Sequence, residues 1–329
     1  MREKIKKTSL LILRILVSLG LISWIMLKVD KQQLLESFRS LNIWLLLSSL
    51  AAYFVVNAIC AWRWQFLLAA RGIKSGYWKL LRYFLNGLFF GNFLPTTVGG
   101  DLARAYLVAD DCKSKSEALA SVLVDRFIGL FGVIITGIVG LILVAKGGQE
   151  ISLLNGMLIG IAAALLFVVL FLNKSLVKKF RWLFKLPLME KVEHQLIDFY
   201  HAIYAYRTHK REVFLALFLS LMVQVFVVIT AYLIALSLGI GISVIPFFLY
   251  MPVIAAVSMI PLSINGWGLQ EGAFIVFFGR AGIAQPLALS LGFLYHLVAV
   301  GISLLGGLLW LMFGGRKPAN NNKDSSKCG

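Results

Sequence analysis

The chain has few charged residues and few cysteines for its length. Only 14% of its 329 residues are charged, whereas 60% are apolar, and no polar block is long enough to form a separate soluble domain. This composition excludes an ordinary soluble protein and predicts a helical integral membrane protein. The spacing of Cys60, Cys112 and Cys328 offers neither a disulfide framework nor a metal site.

Motifs of the common catalytic and nucleotide-binding folds are also missing. The sequence contains no Walker loop, nucleophile elbow or metalloprotease helix. His194, Asp198 and His201 have the spacing of one helical face, which could present metal ligands, but no fourth ligand accompanies them and a solvated polar face explains them better. We therefore expect no metal, no cofactor, no ATP hydrolysis and no enzymatic activity.

Acidic residues are about half as frequent as basic ones. The chain has 32 Lys and Arg against 15 Asp and Glu, a net charge of +17. This charge fits either a nucleic-acid partner or the basic cytoplasmic loops of a membrane protein. The basic residues concentrate on one side of the predicted helices, at both termini, near Arg63 and Arg104, and in 173–211. This bias favours membrane lipids over nucleic acid, with both termini in the cytoplasm and a basic inner face that attracts anionic headgroups.

Long apolar runs dominate the rest of the sequence. A helix that crosses a bilayer needs about 20 apolar residues. Six stretches meet this length, at about 8–29, 42–62, 118–145, 151–172, 213–238 and 286–313. They predict an all-α polytopic protein of the cell membrane, with one transmembrane domain over 1–316 and a disordered tail over 317–329. Segment 173–211, part of which is amphipathic, is expected to lie on the cytoplasmic surface of the membrane.

Two further apolar regions, 83–109 and 244–285, are interrupted by proline and glycine. Within them, 93–101 reads FLPTTVGGD and 260–271 reads IPLSINGWGLQE. Irregular backbone survives in a membrane only where protein or water covers it. The charge bias requires each region to leave and return on the same side. Two re-entrant hairpins entering from opposite faces achieve this, although an even number of extra crossings would do so too. Opposed hairpins are typical of an inverted repeat with a transport site at its interface.

Three segments resemble the motifs of the lysylphosphatidylglycerol synthase transmembrane family, also called flippase-like. They are 86–106 (NGLFFGNFLPTTVGGDLARAY), 122–129 (VLVDRFIG) and 261–271 (PLSINGWGLQE). The resemblance covers nearly the whole chain and implies a membrane module that translocates lipids. Some members of the family also have a soluble synthase domain, which has no counterpart here, so the resemblance does not imply aminoacyl transfer.

The first broken segment offers an anion site at the start of a helix. Pro95 interrupts a helix, Gly99 and Gly100 allow close backbone approach, and Asp101 is expected to act as the N-cap of the following helix. The free N–H groups there, with Arg104 one turn later, could bind a lipid phosphate. The alternative is a packed turn in which Asp101 and Arg104 only pair with each other.

Asp125 and Arg126 belong to the second motif. Residues 118–145 would form a helix longer than the hydrocarbon core, so both side chains could lie at its inner boundary. Arg126 would then either anchor the helix at the interface or bind a lipid phosphate together with Arg104. A guanidinium group suits phosphate because it donates two parallel hydrogen bonds.

The second broken segment places Glu271 at the start of a new helix. This carboxylate would either cap the helix, where the dipole stabilises its charge, or titrate or bind a cationic headgroup during transport. The residues expected to form this hairpin are Pro261, Gly266 and Gly268. The predicted substrate-binding residues of both hairpins are Asn92, Asp101, Arg104, Asp125, Arg126, Asn265 and Glu271.

These observations predict a lipid translocase that works by alternating access around a central polar site. Its substrate would be a phospholipid or a polyprenyl-phosphate-linked lipid with an anionic or phosphate-bearing headgroup. A second hypothesis is a lipid-linked glycosyl or acyl transferase, for which Asp101 and Asp125 are the only suitable carboxylates at the inner face. A third is a non-catalytic partner in a lipid-modifying complex.

Overall fold

The computed structural model describes residues 29–93, 99–112, 115–146, 209–259 and 265–313, with Tyr206, Ser263 and isolated positions between 16 and 27. All regular secondary structure in these residues is helical. The helices are α1 Lys31–Arg39, α2 Ile43–Ala70, α3 Tyr77–Phe93, α4 Gly99–Val108, α5 Lys115–Lys146, α6 Lys210–Ser237, α7 Ile245–Ser258, α8 Leu269–Arg280 and α9 Gln285–Phe313. The prediction of an all-α membrane protein is confirmed.

Four of these helices, α2, α5, α6 and α9, are long and apolar enough to cross a membrane. The predicted span 8–29, apart from isolated positions, lies outside the described residues. The other predicted segments outside them are 151–172, most of 173–211, which includes His194, Asp198 and His201, and the tail 317–329. Six full spans therefore stay a prediction.

The predicted end of the second span is wrong. Helix α2 begins after Asn42, whose side chain accepts hydrogen bonds from the N–H groups of Trp44 and Leu45, and it continues to Ala70 instead of residue 62. The apolar sequence after Arg63 continues the helix, because neither proline nor glycine interrupts it. Arg63 is consequently inside a long helix, and its side chain is buried.

Helices α3 and α4 form an antiparallel hairpin around the first broken segment. A Cβ atom on Gly100 would lie 2.4 Å from the carbonyl oxygen of Gly87, so the two backbones touch. At the open end, Lys79 Nζ lies 2.6 Å from Asp111 Oδ1, and Ser75 Oγ donates to Asp111 Oδ2 at 2.9 Å. The chain therefore returns to the end at which it entered, and the hairpin begins earlier than the predicted residue 83.

Helices α7 and α8 form the second antiparallel hairpin. The rings of Phe247, near the start of α7, and Phe278, near the end of α8, have centroids 4.7 Å apart. Between the helices, Asn265, Gly266 and Gly268 have φ angles of 48°, 80° and 82°. This left-handed backbone favours glycine and, among other residues, asparagine, which explains the composition of the break.

The two hairpins open toward opposite ends of α5, a helix about 48 Å long at the standard rise. Near the start of α5, Glu117 pairs with Arg71, which directly follows α2 and precedes the first hairpin. Near the end of α5, a Cβ atom on Gly140 would lie 2.5 Å from the backbone of Phe248, at the start of the second hairpin. The tips of the hairpins meet, since Asn265 Nδ2 donates to Asn92 Oδ1 at 2.6 Å.

Small residues bring the helices together at several crossings. A Cβ atom on Gly306 would lie 2.0 Å from the carbonyl oxygen of Leu85, and one on Gly132 would lie 2.8 Å from Ser220 Cβ. Lipid tails are as apolar as leucine, so helices in a membrane associate through close backbone packing rather than through hydrophobic burial alone. These glycines fix α9 against α3 and α6 against α5.

Candidate functional site

Five charged side chains from α2, α4 and α5 form one connected group, which we name the arginine cluster: Arg63, Asp101, Arg104, Asp125 and Arg126. Arg63 Nε lies 2.7 Å from Asp125 Oδ1, and Arg104 Nη1 lies 3.2 Å from Asp125 Oδ2. Arg104 Nη2 also donates to Asp101 Oδ1 at 2.8 Å. Arg126 pairs with the other oxygen of Asp101. Both carboxylates are thus shared between two arginines.

Counted over the described residues, the arginine cluster has one more positive than negative charge, because three guanidinium groups face two carboxylates. Four of its side chains are buried, whereas the side chain of Arg126 is 53% exposed. A buried charge without a partner is strongly destabilising. The four buried side chains avoid this cost because they are two arginines and two aspartates, whose charges balance. The excess charge therefore belongs to Arg126, which pairs with Asp101 and is the exposed member of the cluster.

Arg104 is held by tight packing against α3. A Cβ atom on Gly87 would lie 2.4 Å from Arg104 Cγ, so only glycine leaves room for this side chain. The guanidinium carbon lies 4.5 Å from the ring centroid of Phe84 and 5.3 Å from that of Trp64. The negative faces of aromatic rings stabilise a nearby cation, and they do so more when water is excluded. The first hairpin thus fixes both the position and the charge of Arg104.

Arg63 is held between α5 and α6. Its Nη1 donates to Ser220 Oγ at 2.9 Å, and a Cβ atom on Gly129 would lie 3.2 Å from Nη1. Ser220 Oγ in turn donates to the carbonyl oxygen of Ala216 at 3.0 Å. Arg63, which belongs to α2, therefore links this helix to α5 through Asp125 and to α6 through Ser220.

The interpretation of Arg63 and Arg104 as charges of the membrane face is wrong. Both are buried inside the helix bundle and pair with carboxylates. Asp125 lies ten residues, about 15 Å, beyond the start of α5 and is buried among the helices, and its place at the inner boundary of the membrane stays a prediction. Arg63 lies close to Arg71 and Lys74 in the sequence, and it was therefore counted with the basic residues of the connection that follows the second span.

The expected cap role of Asp101 is also wrong. Helix α4 already begins at Gly99, so Asp101 lies within its first turn. Its two oxygens accept from Arg104 and Arg126. The alternative pairing of Asp101 with Arg104 is present, but it is part of a larger network that also contains Asp125.

A second polar group surrounds Glu271, which lies in the first turn of α8. Its Oε2 accepts a hydrogen bond from the N–H of Gly268 at 2.6 Å, and its Oε1 lies 3.0 Å from His296 Nδ1 on α9. The His296 ring stacks on Trp267 at a centroid distance of 3.8 Å. Glu271 therefore does cap its helix, as the alternative interpretation held, and it also links α8 to α9 through His296.

We expect Glu271→Gln to lower the free energy of unfolding by about 1 kcal/mol, because the neutral amide still accepts from Gly268 but loses the charge-assisted contact with His296. Thermal unfolding of the purified protein in detergent measures this change. Glu36→Gln, at an exposed carboxylate on α1, is the matched control and should have little effect. Equal melting temperatures for both variants would contradict a role for the Glu271–His296 contact.

The structure brings some predicted residues together and separates others. Asp101, Arg104, Asp125 and Arg126 share one cluster, and Asn92 meets Asn265 at the hairpin tips. Glu271 belongs to the separate group with His296. Pro95 and Pro261 lie outside the described residues. The roles of all these side chains in substrate binding stay predictions.

The sequence interpretation missed three members of these groups, namely Arg63, Ser220 and His296. A usable signal existed for Arg63, since the apolar sequence WQFLLAA follows it. A single histidine within the long apolar run 286–313 marked His296 in the same way, because an ionisable residue inside a membrane helix is a functional candidate. Nothing in the local sequence distinguishes Ser220 from other serines of apolar helices.

Cys112, between α4 and α5, is a free thiol in a partly buried position. Burial of the thiol is the largest cause that raises the pKa of Cys112 to about 11, and the nearby carboxylates of Glu117 and Asp111 contribute to the same increase. The thiol is therefore protonated at neutral pH and a poor nucleophile. This agrees with a structural rather than a chemical role. The residues that the structure describes contain no group of histidine, cysteine and acidic side chains able to hold a metal ion.

Comparison with known proteins identifies a family for this architecture. Residues 11–307 match the family described as Lysylphosphatidylglycerol synthase TM region. The chain is 23% identical over 326 residues to a UPF0104 membrane protein of Methanocaldococcus jannaschii, covering 95% of this chain and 96% of the relative. It is also 23% identical over 294 residues to a UPF0104 membrane protein of Methanothermobacter thermautotrophicus, covering 83% and 87%. No solved structure matches. The chain belongs to the lysylphosphatidylglycerol synthase transmembrane region family.

Proposed function

We propose that this chain is a lipid translocase of the cell membrane, which moves a phospholipid or a polyprenyl-phosphate-linked lipid between leaflets. The observation that carries the proposal is the excess positive charge of the arginine cluster, which lies among apolar helices beside the break of the first hairpin. Ionisable groups inside a membrane protein are costly and mark substrate pathways. A lipid phosphate would supply the negative charge that the cluster lacks.

Arg126 is the side chain through which the phosphate would enter. It is the exposed member of the cluster, and it shares Asp101 with Arg104. A phosphate that displaces Asp101 from Arg126 leaves that carboxylate paired with Arg104, so no buried charge loses its partner. The planar guanidinium group of Arg126 can donate two hydrogen bonds to phosphate oxygens.

The opposed hairpins suggest how the site could open to each leaflet in turn. Among the residues that the structure describes there, one hydrogen bond, between Asn265 and Asn92, joins their tips. A neutral hydrogen bond contributes only about 1 kcal/mol, so this contact can break and re-form during transport. We propose that the hairpins are re-entrant elements of an inverted repeat and that their relative movement gives alternating access.

The orientation of the chain is proposed from the distribution of basic residues. Arg71, Lys74, Lys79 and Arg82 lie where α2 ends and α3 begins. The guanidinium carbon of Arg82 lies 5.4 Å from the ring centroid of Phe313, so the end of α9 lies at the same side. This basic side would face the cytoplasm and place both termini there.

A lipid-linked transferase is supported less well by the same contacts. A general base must direct a free lone pair at the proton that it abstracts. Asp101 and Asp125, the candidate carboxylates, each accept from two arginines. The arginine cluster therefore suits the binding of an anion better than proton abstraction, and we propose a transporter without enzymatic activity.

Transport of a fluorescent phosphatidylglycerol in proteoliposomes tests the proposal. We expect Arg126→Gln to slow its appearance in the opposite leaflet by at least about tenfold, because a charged hydrogen bond to phosphate is lost. The fold should persist, since the four buried charges stay paired. Arg280→Gln, at an exposed arginine at the end of α8, is the matched control and should transport at the original rate.

Two outcomes would contradict the proposal at different points. If the original protein moves the lipid no faster than empty liposomes do, the chain is not a translocase for phosphatidylglycerol. If Arg126→Gln transports as fast as Arg280→Gln, the arginine cluster does not bind the phosphate.

A further inference from the structure

A buried carboxylate and a buried imidazole contact each other between α8 and α9, and we name them the Glu271–His296 pair. Glu271 Oε1 lies 3.0 Å from His296 Nδ1, and each residue is only 3% exposed. His296 follows Gln285, the first residue of the 29-residue helix α9, by eleven positions, which is about 16.5 Å. The imidazole is therefore well inside a helix that is long enough to cross the membrane.

Among the side chains that the structure describes, no third charge forms an ion pair with Glu271 or His296. The titratable groups of the helices that pack against α8 and α9 have other surroundings. These surroundings are an exposed position for Asp30, Glu36, Arg39 and Arg280, an aspartate for Arg63 and Lys79, an aromatic ring for Tyr53, Arg82, Tyr232 and Tyr250, and the first turn of α6 for Lys210, Arg211 and Glu212. The charge of the pair is therefore set by its own protons.

The Glu271–His296 pair has one electrically neutral state. A carboxylate beside an imidazolium and a carboxylic acid beside a neutral imidazole contain the same number of protons, and both have no net charge. Loss of one proton leaves a carboxylate beside a neutral imidazole, a single negative charge. An unbalanced charge in an apolar interior is costly, so the closed bundle favours the state that holds the proton.

The contacts of the pair leave one atom free to exchange this proton. Glu271 Oε2 accepts from the N–H of Gly268 at 2.6 Å, and Oε1 faces His296 Nδ1. Both contacts can persist with and without the proton, because in the carboxylate–imidazolium form the proton leaves from Nε2, the other ring nitrogen of His296. Binding and release of a proton thus do not require the cap of α8 to break.

The pair is attached to the break of the second hairpin, which moves in the proposed transport cycle. Glu271 accepts from Gly268, and the ring of Trp267 stacks on His296 at a centroid distance of 3.8 Å. Asn265, three residues before Gly268, donates to Asn92 of the first hairpin. A movement of the hairpins that admits water to the pair would stabilise its negative state and allow the proton to leave.

A polar stripe on α2 extends from the pair to the arginine cluster. Tyr53 at one end has its ring centroid 6.0 Å from that of Tyr295, which directly precedes His296. Arg63 at the other end, ten residues or about 15 Å away, pairs with Asp125. The stripe consists of Tyr53, Asn57, Cys60 and Arg63, which share one helical face. Because charges interact more strongly in the interior than in water, an anion at the arginine cluster would favour a proton on the pair.

We propose that the Glu271–His296 pair binds a proton that is transported together with the anionic lipid. This inference rests on the proposed function and adds a second substrate to it. The lipid phosphate brings one negative charge to the arginine cluster, and the proton on the pair cancels it, so the two substrates cross without moving net charge against the membrane potential. Carboxylates and histidines buried in membrane helices commonly form the proton sites of transporters.

Proton uptake upon lipid binding tests the inference at equilibrium. Dioctanoylphosphatidylglycerol is titrated calorimetrically into the full-length protein in detergent, from about pH 5 to pH 8, the range in which histidine usually changes its charge. Two buffers with different ionisation enthalpies give the number of protons bound. We expect the uptake to approach one proton per lipid, and the affinity to fall by up to about tenfold per pH unit as the pH rises. An affinity that is constant over this range, without proton uptake, would overturn the inference.

Substitutions assign the proton to the pair. Glu271→Gln should abolish the uptake, because an imidazolium without the carboxylate would be an unpaired buried charge. His296→Gln should displace the midpoint of the uptake by at least about one pH unit, because the two groups titrate as a unit. Glu36→Gln, at an exposed carboxylate on α1, should keep the uptake of the original protein. Undiminished uptake in Glu271→Gln, or an unchanged midpoint in His296→Gln, would show that the proton binds elsewhere.

A proton gradient across proteoliposomes separates this inference from the proposed function. Acidification of the compartment that the fluorescent phosphatidylglycerol leaves should accelerate its transport by at least about fivefold. Transport that does not respond to the gradient would reject the proton as a substrate and leave the translocase in place. Proton uptake upon lipid binding, in a protein that transports no lipid, would uphold the proton site and reject the translocase.

Discussion

Asp125→Asn is expected to lower the free energy of unfolding by about 3–5 kcal/mol, because it leaves two buried arginines without their shared carboxylate. Asp125 Oδ1 pairs with Arg63 and its Oδ2 with Arg104, and the Asp125 side chain is only 2% exposed. An asparagine can accept a hydrogen bond but supplies no charge. Thermal and denaturant-induced unfolding in detergent should both show the loss.

Asp110→Asn provides the matched control, since Asp110 is an exposed carboxylate in the turn that follows α4. It should change the free energy of unfolding by no more than about 0.5 kcal/mol. The double variant Arg63→Met with Asp125→Asn should recover part of the lost stability, because Arg63, the arginine left without a carboxylate, disappears with it, whereas Arg104 stays paired with Asp101. If Asp125→Asn melts at the same temperature as Asp110→Asn, the arginine cluster is not a buried charge network.

Gly100→Ala is expected to separate the two helices of the first hairpin and to abolish most of the proposed lipid transport. The added Cβ would lie 2.4 Å from the carbonyl oxygen of Gly87 and 3.1 Å from the Cα of Gly91. Both neighbours are backbone atoms, which cannot rotate away as a flexible side chain can. We expect a loss of stability of about 3 kcal/mol, at the upper end for overpacking, as judged by unfolding in detergent.

Gly279→Ala tests the same chemical change where no atom lies within 4 Å of the new Cβ. Alanine is the better helix former, so this variant should be as stable as the original protein or slightly more stable. Normal stability and transport in Gly100→Ala would show that the hairpin is not closed at this point. A local displacement of Arg104 would reduce transport alone. Global unfolding would reduce transport and also the amount of recoverable protein, so both quantities are measured.

The positions of the two helix breaks could be predicted because they depend on local chemistry. Three left-handed residues within four positions, at Asn265, Gly266 and Gly268, require the residue types that the sequence has there. The apolar runs likewise predict the long helices, because a bilayer-spanning helix must satisfy its own backbone groups. The end of α2 was misjudged because one charge in an apolar run was given more weight than the sequence around it.

The contents of the arginine cluster could be predicted only in part. Asp101 and Arg104 are three residues apart on α4, so their proximity follows from helical spacing. Arg63 is 62 residues from Asp125 along the chain, and only the packing of α2 against α5 brings them together. The contact of Asn92 with Asn265 spans 173 residues and likewise depends on where the two hairpins end.

The sequence by itself determined that the chain is a helical membrane protein with two broken segments, since composition, run length and turn chemistry act locally along the backbone. Only the tertiary structure decided which charges neutralise one another and that the hairpin tips meet. The physical reason is that pairing and burial depend on distances between helices. Those distances are set by glycine contacts such as Gly87 with Arg104 and Gly306 with Leu85, which no single segment contains.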